Sequence, residues 1–222
     1  MTDRTRYTLM GGGILLGFVL VLALMVGLRW QQTQSVSLSS KLDSAVFKLF
    51  PKPIPVPAAE LTNKLGKPVV SDQLLDKKWT FLYFGYTLCP DICPTELTVL
   101  AEVAEQLRKH KVASAWQVVF VSVDADRDTP ERLKGFVDYF DPQIQAATGS
   151  DVELRVMSQP IGVGWDKVAT SDAQGKLDDS GYLINHTTSI YLVDPQGRAV
   201  GVFSSPHDPE AMVKAYQIMV PD

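Results

Sequence analysis

A mixed α/β fold, with helices on the faces of a central sheet, is predicted by three features of the sequence. Two apolar runs, residues 79–86 and 116–123, read as buried strands, and a helical pattern lies between them. A later pair of strand-like runs is joined by the turn Asp194-Pro-Gln-Gly197 and followed by a last helix. The only two cysteines, Cys89 and Cys93, stand where the first strand feeds its helix. Strand–helix–strand early, a hairpin and helix late, and a dithiol at that junction make a thioredoxin-like architecture.

The elements follow in order from residue 58. A turn at Leu65-Gly66-Lys67-Pro68 opens the domain and leads into the strand 79–86. Pro94 suits the first turn of a helix in which Leu97, Leu100, Ala101, Ala104 and Leu107 recur at helical spacing, ending near Lys109 and His110. After the strand 116–123, Asp128-Thr129-Pro130 caps and opens a helix to about Tyr139, with Asp128 as the expected cap. Ser150-x-x-Glu153 is a capping-box start for a helix to about Ile161. Residues 188–193 and 199–203 form the hairpin, and the last helix spans 208–219.

With 222 residues, 45% of them hydrophobic and 21% charged, the chain has material for one core and an accessory segment. Residues 9–28 carry no charge, and at about 1.5 Å per residue such a helix crosses a hydrocarbon layer of roughly 30 Å. This predicts a membrane anchor preceded by a short cytoplasmic stretch, residues 1–8. A cleaved signal peptide fits less well, because Gly27-Leu28-Arg29-Trp30 offers no small-residue cleavage site, and Trp30 suits the headgroup level. Arg4 and Arg6 before the span are balanced by Arg29, Lys41 and Lys48 after it, so charge leaves the orientation open. Too few residues precede the span for a mitochondrial transit peptide, which points to a bacterial chain. Residues 29–57, polar and then bearing Pro51, Pro53, Pro55 and Pro57, read as an extended linker to a domain covering 58–222, with a short helix near 42–49 as the one alternative within it. The formal net charge of −4 argues against a nucleic-acid partner.

The chemistry concentrates on Cys89-Pro-Asp-Ile-Cys93. A helix amino terminus lowers thiol pKa and thiolates are soft ligands, so the pair is suited to a metal. On a regular turn the two Cβ atoms stand about 5–6 Å apart, wider than the roughly 3.8 Å of a disulfide. Pro90 between them makes a regular turn uncertain, so a reversible disulfide and a static structural one stay open beside the metal. Two sulfurs do not close a structural zinc site, and the three histidines are the source of a further donor. His110 falls at a helix carboxyl end and His207 in the turn Ser205-Pro-His-Asp-Pro; His186, just ahead of an apolar strand expected beside the dithiol strand, is the candidate ligand. Two thiolates and one imidazole favour cuprous copper, and a cupric ion would want one more donor. Asp124-Ala-Asp126-Arg-Asp128 fails the calcium-loop pattern, since Thr129 and Gly135 stand where Gly and Glu belong, but Asp124 remains a candidate fourth ligand or outer support.

Three blocks resemble the Sco (SenC) family of copper chaperones for cytochrome c oxidase: Phe84-Gly-Tyr-Thr-Leu-Cys-Pro-Asp-Ile-Cys-Pro-Thr95, Val121-Ser-Val-Asp-Ala-Asp-Arg-Asp-Thr-Pro-Glu131 and Asn185-His-Thr-Thr-Ser-Ile-Tyr-Leu-Val-Asp-Pro-Gln-Gly197. The likeness covers roughly residues 60–220, and departs from the usual pattern at Pro57 to Gly66 and at Tyr182-Leu-Ile-Asn185. It implies that Cys89, Cys93 and His186 bind copper in a thioredoxin-like domain facing the periplasm from the bacterial inner membrane. It implies a role in building the binuclear copper A centre of the oxidase's second subunit, by delivering copper, by reducing the recipient cysteines, or both. Another periplasmic copper chaperone or a thiol reductant is then an expected partner. The competing reading is an enzyme, a thiol–disulfide oxidoreductase or a peroxidase-like relative, with Cys89 or Cys93 as nucleophile in the setting Thr87-x-Cys89.

Overall fold

The computed structural model describes residues 19–27, 29, 42–75, 77–171 and 177–220. The chain divides into two units, Met1–Lys41 and Leu42–Asp222. In the first, residues 19–27 and 29 are helical, and Val19, Leu20, Leu24 and Val26 are exposed. Among the described residues no helix is long and apolar enough to cross a membrane. The expected anchor over 9–28 lies largely outside the described residues, at 9–18 and 28, as do residues 1–8 and the first part of the expected linker, 30–41.

In the second unit an eight-stranded sheet runs in the order β1-β10-β9-β4-β5-β6-β2-β3. Its strands are β1 (Phe47–Pro55), β2 (Glu60–Asn63), β3 (Pro68–Val70), β4 (Trp79–Gly85), β5 (Trp116–Ser122), β6 (Gln145–Thr148), β9 (Ile190–Val193) and β10 (Arg198–Phe203). β4, β5 and β6 are parallel to one another, and the neighbours on either side are antiparallel. The central strands are apolar without alternation because both faces are covered: Phe81, Leu82, Tyr83 and Phe84 of β4 and Val119, Phe120 and Val121 of β5 have no exposed surface. The helices are α1 (Ser71–Leu75), α2 (Ile92–Lys109), α3 (Pro130–Phe140), α4 (Asp151–Ser158), extended by a 3-10 turn over Gln159–Ile161, and α5 (Pro209–Met219). α2 buries Leu97, Leu100, Ala104 and Leu107, the stripe expected from the periodicity.

Residues 47–55 are not a tether. They form β1, an edge strand paired with β10, with Pro51, Pro53 and Pro55 exposed. Proline is compatible with an edge, where no neighbour needs its missing N–H. The register runs from Phe47 opposite Phe203 to Leu49 opposite Gly201, breaks across Pro51 and Pro53, and resumes at Ile54 opposite Ala199. Gly201 permits this pairing, since a Cβ there would lie 2.7 Å from the Lys48 carbonyl oxygen. The short helix considered near 42–49 is a turn leading into this strand.

Two caps differ from expectation. Thr129, not Asp128, caps α3, accepting the Arg132 N–H on its hydroxyl. Ser150 caps α4 as expected, but Glu153 turns away from the reciprocal bond and accepts the Glu60 N–H at 2.8 Å. A separate two-stranded sheet, β7 (Trp165–Ser171) with β8 (Leu177–His186), occupies a stretch whose sequence carries no apolar run.

Candidate metal centre

β4 ends at Gly85, and the chain turns through Tyr86-Thr87-Leu88 before α2 begins at Ile92. Cys93 therefore sits in the first turn of α2, while Cys89 precedes the helix rather than sharing its first turn. Asp91 occupies the cap position without making a side-chain cap bond. The Cys89 sulfur takes part of that work, accepting the Cys93 N–H at 3.4 Å. Gly85 is required beneath the pair, because a Cβ there would lie 2.8 Å from Cys93 Sγ and 2.9 Å from the Phe120 ring. The turn is fixed from outside by Asp128, whose carboxylate accepts the Thr87 N–H at 2.9 Å, the Thr87 hydroxyl at 2.5 Å and the Ser122 hydroxyl at 2.5 Å. Burial raises the Asp128 carboxyl pKa, against the lowering effect of these three donors.

His186 reaches the dithiol from the far end of β8. The strand that follows it, β9, pairs directly with β4, as the sequence predicted. His186 Nε2 lies 3.4 Å from Cys93 Sγ, and its Nδ1 lies 2.9 Å from the Thr187 carbonyl oxygen. A carbonyl only accepts, so Nδ1 carries a proton and donates to it, and Nε2 is the ring nitrogen that faces the sulfurs. One donor atom each from Cys89, Cys93 and His186 lie within 4.8 Å of one another. Both cysteines are free thiols and both are buried, with 8% of Cys89 and none of Cys93 exposed. The Tyr83 and Tyr86 rings meet the imidazole edge-on at 6.2 and 5.9 Å.

The two thiols are electrostatically unequal. Hydrogen bonding from Cys93, then from His186 and from the backbone N–H groups of Asp91 and Cys93, holds the Cys89 thiol well below its ordinary value. Cys93 is pushed upward by the same bond to Cys89 and by its own burial. Burial raises the Tyr83 hydroxyl, which stays protonated and points its donor at Cys93 Sγ across 3.8 Å. The pair is thus poised as one thiolate and one thiol beside the Nε2 of His186, a sulfur-rich donor set of the kind that suits copper.

Asp124 does not join this group. It is fully buried, its carboxylate engaged by Arg127 Nε at 2.5 Å and by the Tyr182 hydroxyl at 2.6 Å, so it is not available as a fourth ligand. His110 caps the carboxyl end of α2 on the surface, as expected. His207 is more than a turn residue. Its Nδ1 lies 2.6 Å from Glu96 Oε2 and its Nε2 lies 3.1 Å from the Phe203 carbonyl, with side-chain exposures of 1% and 4% for His207 and Glu96. Glu96 is one helical turn beyond Cys93, so the pair braces the back of the thiol-bearing turn. Thr87, the residue behind the peroxidase-like reading, gives its hydroxyl to Asp128 and not to a cysteine.

With the donors in place, the comparisons with known proteins are direct. The family model described as SCO1/SenC matches residues 56–220. The chain belongs to the SCO1/SenC family. The SCO2-like protein of Rickettsia conorii is 33% identical over 155 residues, covering 70% of this chain and 72% of that one. Among solved structures, copper-bound ScoI of Bradyrhizobium japonicum is 34% identical with a TM-score of 0.62, covering 74% of this chain and 99% of that one. Copper-bound ScoI of Arabidopsis thaliana is 32% identical with a TM-score of 0.64, covering 73% and 97%. The thioredoxin-like α/β fold expected from the sequence is the fold of these SCO1/SenC structures.

Proposed function

We propose that this chain is a copper-binding metallochaperone, anchored by residues 9–28 in the bacterial inner membrane with residues 42–222 in the periplasm, that helps assemble the binuclear copper A centre in the second subunit of cytochrome c oxidase. The observation that carries the reading is the convergence of three soft donors within 4.8 Å from two distant parts of the chain. Two relatives of the same fold, each above 30% identity, were solved with copper bound. In this reading Cys89, Cys93 and His186 hold the ion as cargo. A three-donor set suits the cuprous state, and incoming ligands on the recipient displace the three in turn.

The inequality of the thiols favours a companion activity. The Cys89 thiolate attacks one sulfur of a recipient disulfide, forming a mixed disulfide and expelling the other recipient sulfur as a thiolate. Cys93, once deprotonated, attacks Cys89 Sγ, which releases the recipient as a dithiol and leaves a Cys89–Cys93 disulfide. Two electrons pass to the recipient, and an external thiol reductant must restore the pair.

Copper titration of the full chain tests the reading. It predicts one cuprous ion per chain, with Cys89→Ser, Cys93→Ser and His186→Ala each weakening binding by more than the 10–100-fold that loss of an outer support costs. Wild-type affinity in His186→Ala would contradict it. Disulfide reduction that survives in His186→Ala at full rate, with copper affinity also unchanged, would favour the oxidoreductase instead.

A further inference from the structure

β7 and β8 hydrogen-bond to each other and not to the main sheet, yet β8 ends in His186. A lone two-stranded hairpin is marginally stable, so the position of the imidazole depends on how side chains dock this hairpin on the domain. One attachment is Trp165, directly across from His186 in the ladder. Its Nε1 donates to Asp151 Oδ1 at 3.2 Å, and the Arg155 guanidinium lies 4.6 Å from its ring.

A second attachment is Arg127, in the loop after β5. Its guanidinium carbon is 3.7 Å from the centroid of Tyr182, four residues before His186, and 5.8 Å from that of Tyr86, three residues before Cys89. Nε donates to Asp124 Oδ2 at 2.5 Å and Nη1 donates to the Tyr182 carbonyl at 2.9 Å. The Tyr182 hydroxyl donates to the remaining Asp124 oxygen at 2.6 Å, and the Tyr86 hydroxyl accepts the Ile184 N–H at 3.3 Å. One planar cation thus touches the segment that bears the thiols and the segment that bears the imidazole. Buried Asp124 neutralises it and holds its fork.

We propose that Arg127 is a positioning residue for copper: by stacking on Tyr182 while lying over the Tyr86 ring it sets the distance between His186 and the two sulfurs. This rests on the ligand assignment above. Lysine cannot replace it, because a point charge on a flexible stem does not stack on a ring while donating to Asp124 and to a carbonyl.

The test is a double-mutant cycle on the full chain, reading cuprous affinity by competition with a chromophoric chelator and folding by circular dichroism. Arg127→Gln and Arg127→Lys should each weaken binding about 10–100-fold. In an His186→Ala background the same substitutions should have no further effect, since the residue acts through the imidazole. Wild-type affinity in folded Arg127→Gln, or an equal loss with and without His186, overturns the proposal. If Arg127→Gln does not fold, Tyr182→Leu serves: it removes the ring on which Arg127 stacks, and a loss that is absent in the His186→Ala background supports the clamp, whereas no loss overturns it. Wild-type affinity in His186→Ala alone marks a failure of the ligand assignment itself, whatever Arg127 does.

Discussion

Cys93 and His186, 93 positions apart in the chain, stand 3.4 Å apart through Sγ and Nε2. The Cys93 thiol keeps its proton because it is buried and bonded to the Cys89 thiolate. A metal entering between them must displace that proton, while Cys89 has none to lose.

Copper binding should therefore release about one proton per ion near pH 8, and affinity should rise with pH until Cys93 itself ionises. A titration in weak buffer with a pH indicator measures this. Release of two protons would show that Cys89 is also a thiol in the free protein.

The same inequality gives stability a pH dependence of definite sign. Folding holds Cys89 ionised where the unfolded chain would hold it as a thiol, so the folded state binds fewer protons and gains stability as pH rises. That contribution is complete only above the unfolded thiol value of about 8.5 and fades as pH falls toward the depressed folded value. Urea melts between about pH 5 and pH 8 should show wild type losing its advantage over Cys89→Ser on the acid side. Parallel curves for the two proteins would contradict the assignment of the thiolate to Cys89.

Asp128 accepts three hydrogen bonds that tie the turn before Cys89 to β5. Asp128→Ala strands those donors, and each buried donor left unsatisfied costs about 1–3 kcal/mol. The variant should lose roughly that much or more in urea unfolding, with faster alkylation of Cys93 as the turn loosens. A loss well under 1 kcal/mol would mean that the turn holds without this carboxylate.

His207 Nδ1 and Glu96 Oε2 face each other across 2.6 Å in a site closed to solvent. Removing one member of such a pair leaves the other uncompensated, at a cost of about 3–5 kcal/mol. His207→Ala should be destabilised by that order, and Glu96→Gln combined with His207→Ala by less than the two single losses added. Strict additivity in the cycle would contradict the pairing.

What the sequence made legible was local. The apolar runs at β4 and β5, the helical stripe of α2 and the Asp194–Gly197 turn are patterns within a few residues, and each matches an element of the structure. His186 could be singled out because the strand after it is apolar enough to belong beside β4. The partner of His207 could not, because Glu96 is 111 positions away and only the fold brings them together. β1 was hidden by its prolines, which suit an edge strand as well as a tether. The β7–β8 hairpin was hidden by its polar sequence, since much of its docking is done by Arg127, Tyr182 and Trp165 rather than by an apolar face. Asp128 was mistaken for a cap because Thr129, the next residue, is equally able to cap; which one does so depends on Thr87 and Ser122, which draw Asp128 inward.

The central claim is that two sulfurs and one imidazole form a single copper site. X-ray absorption of the chain loaded with one cuprous ion tests it most directly. Two sulfur scatterers at roughly 2.3 Å and one imidazole nitrogen at roughly 2.0 Å, taking zinc distances as a guide, are predicted, with the imidazole signal lost in His186→Ala. A shell of sulfur alone in the wild-type protein, unchanged by that substitution, would contradict it.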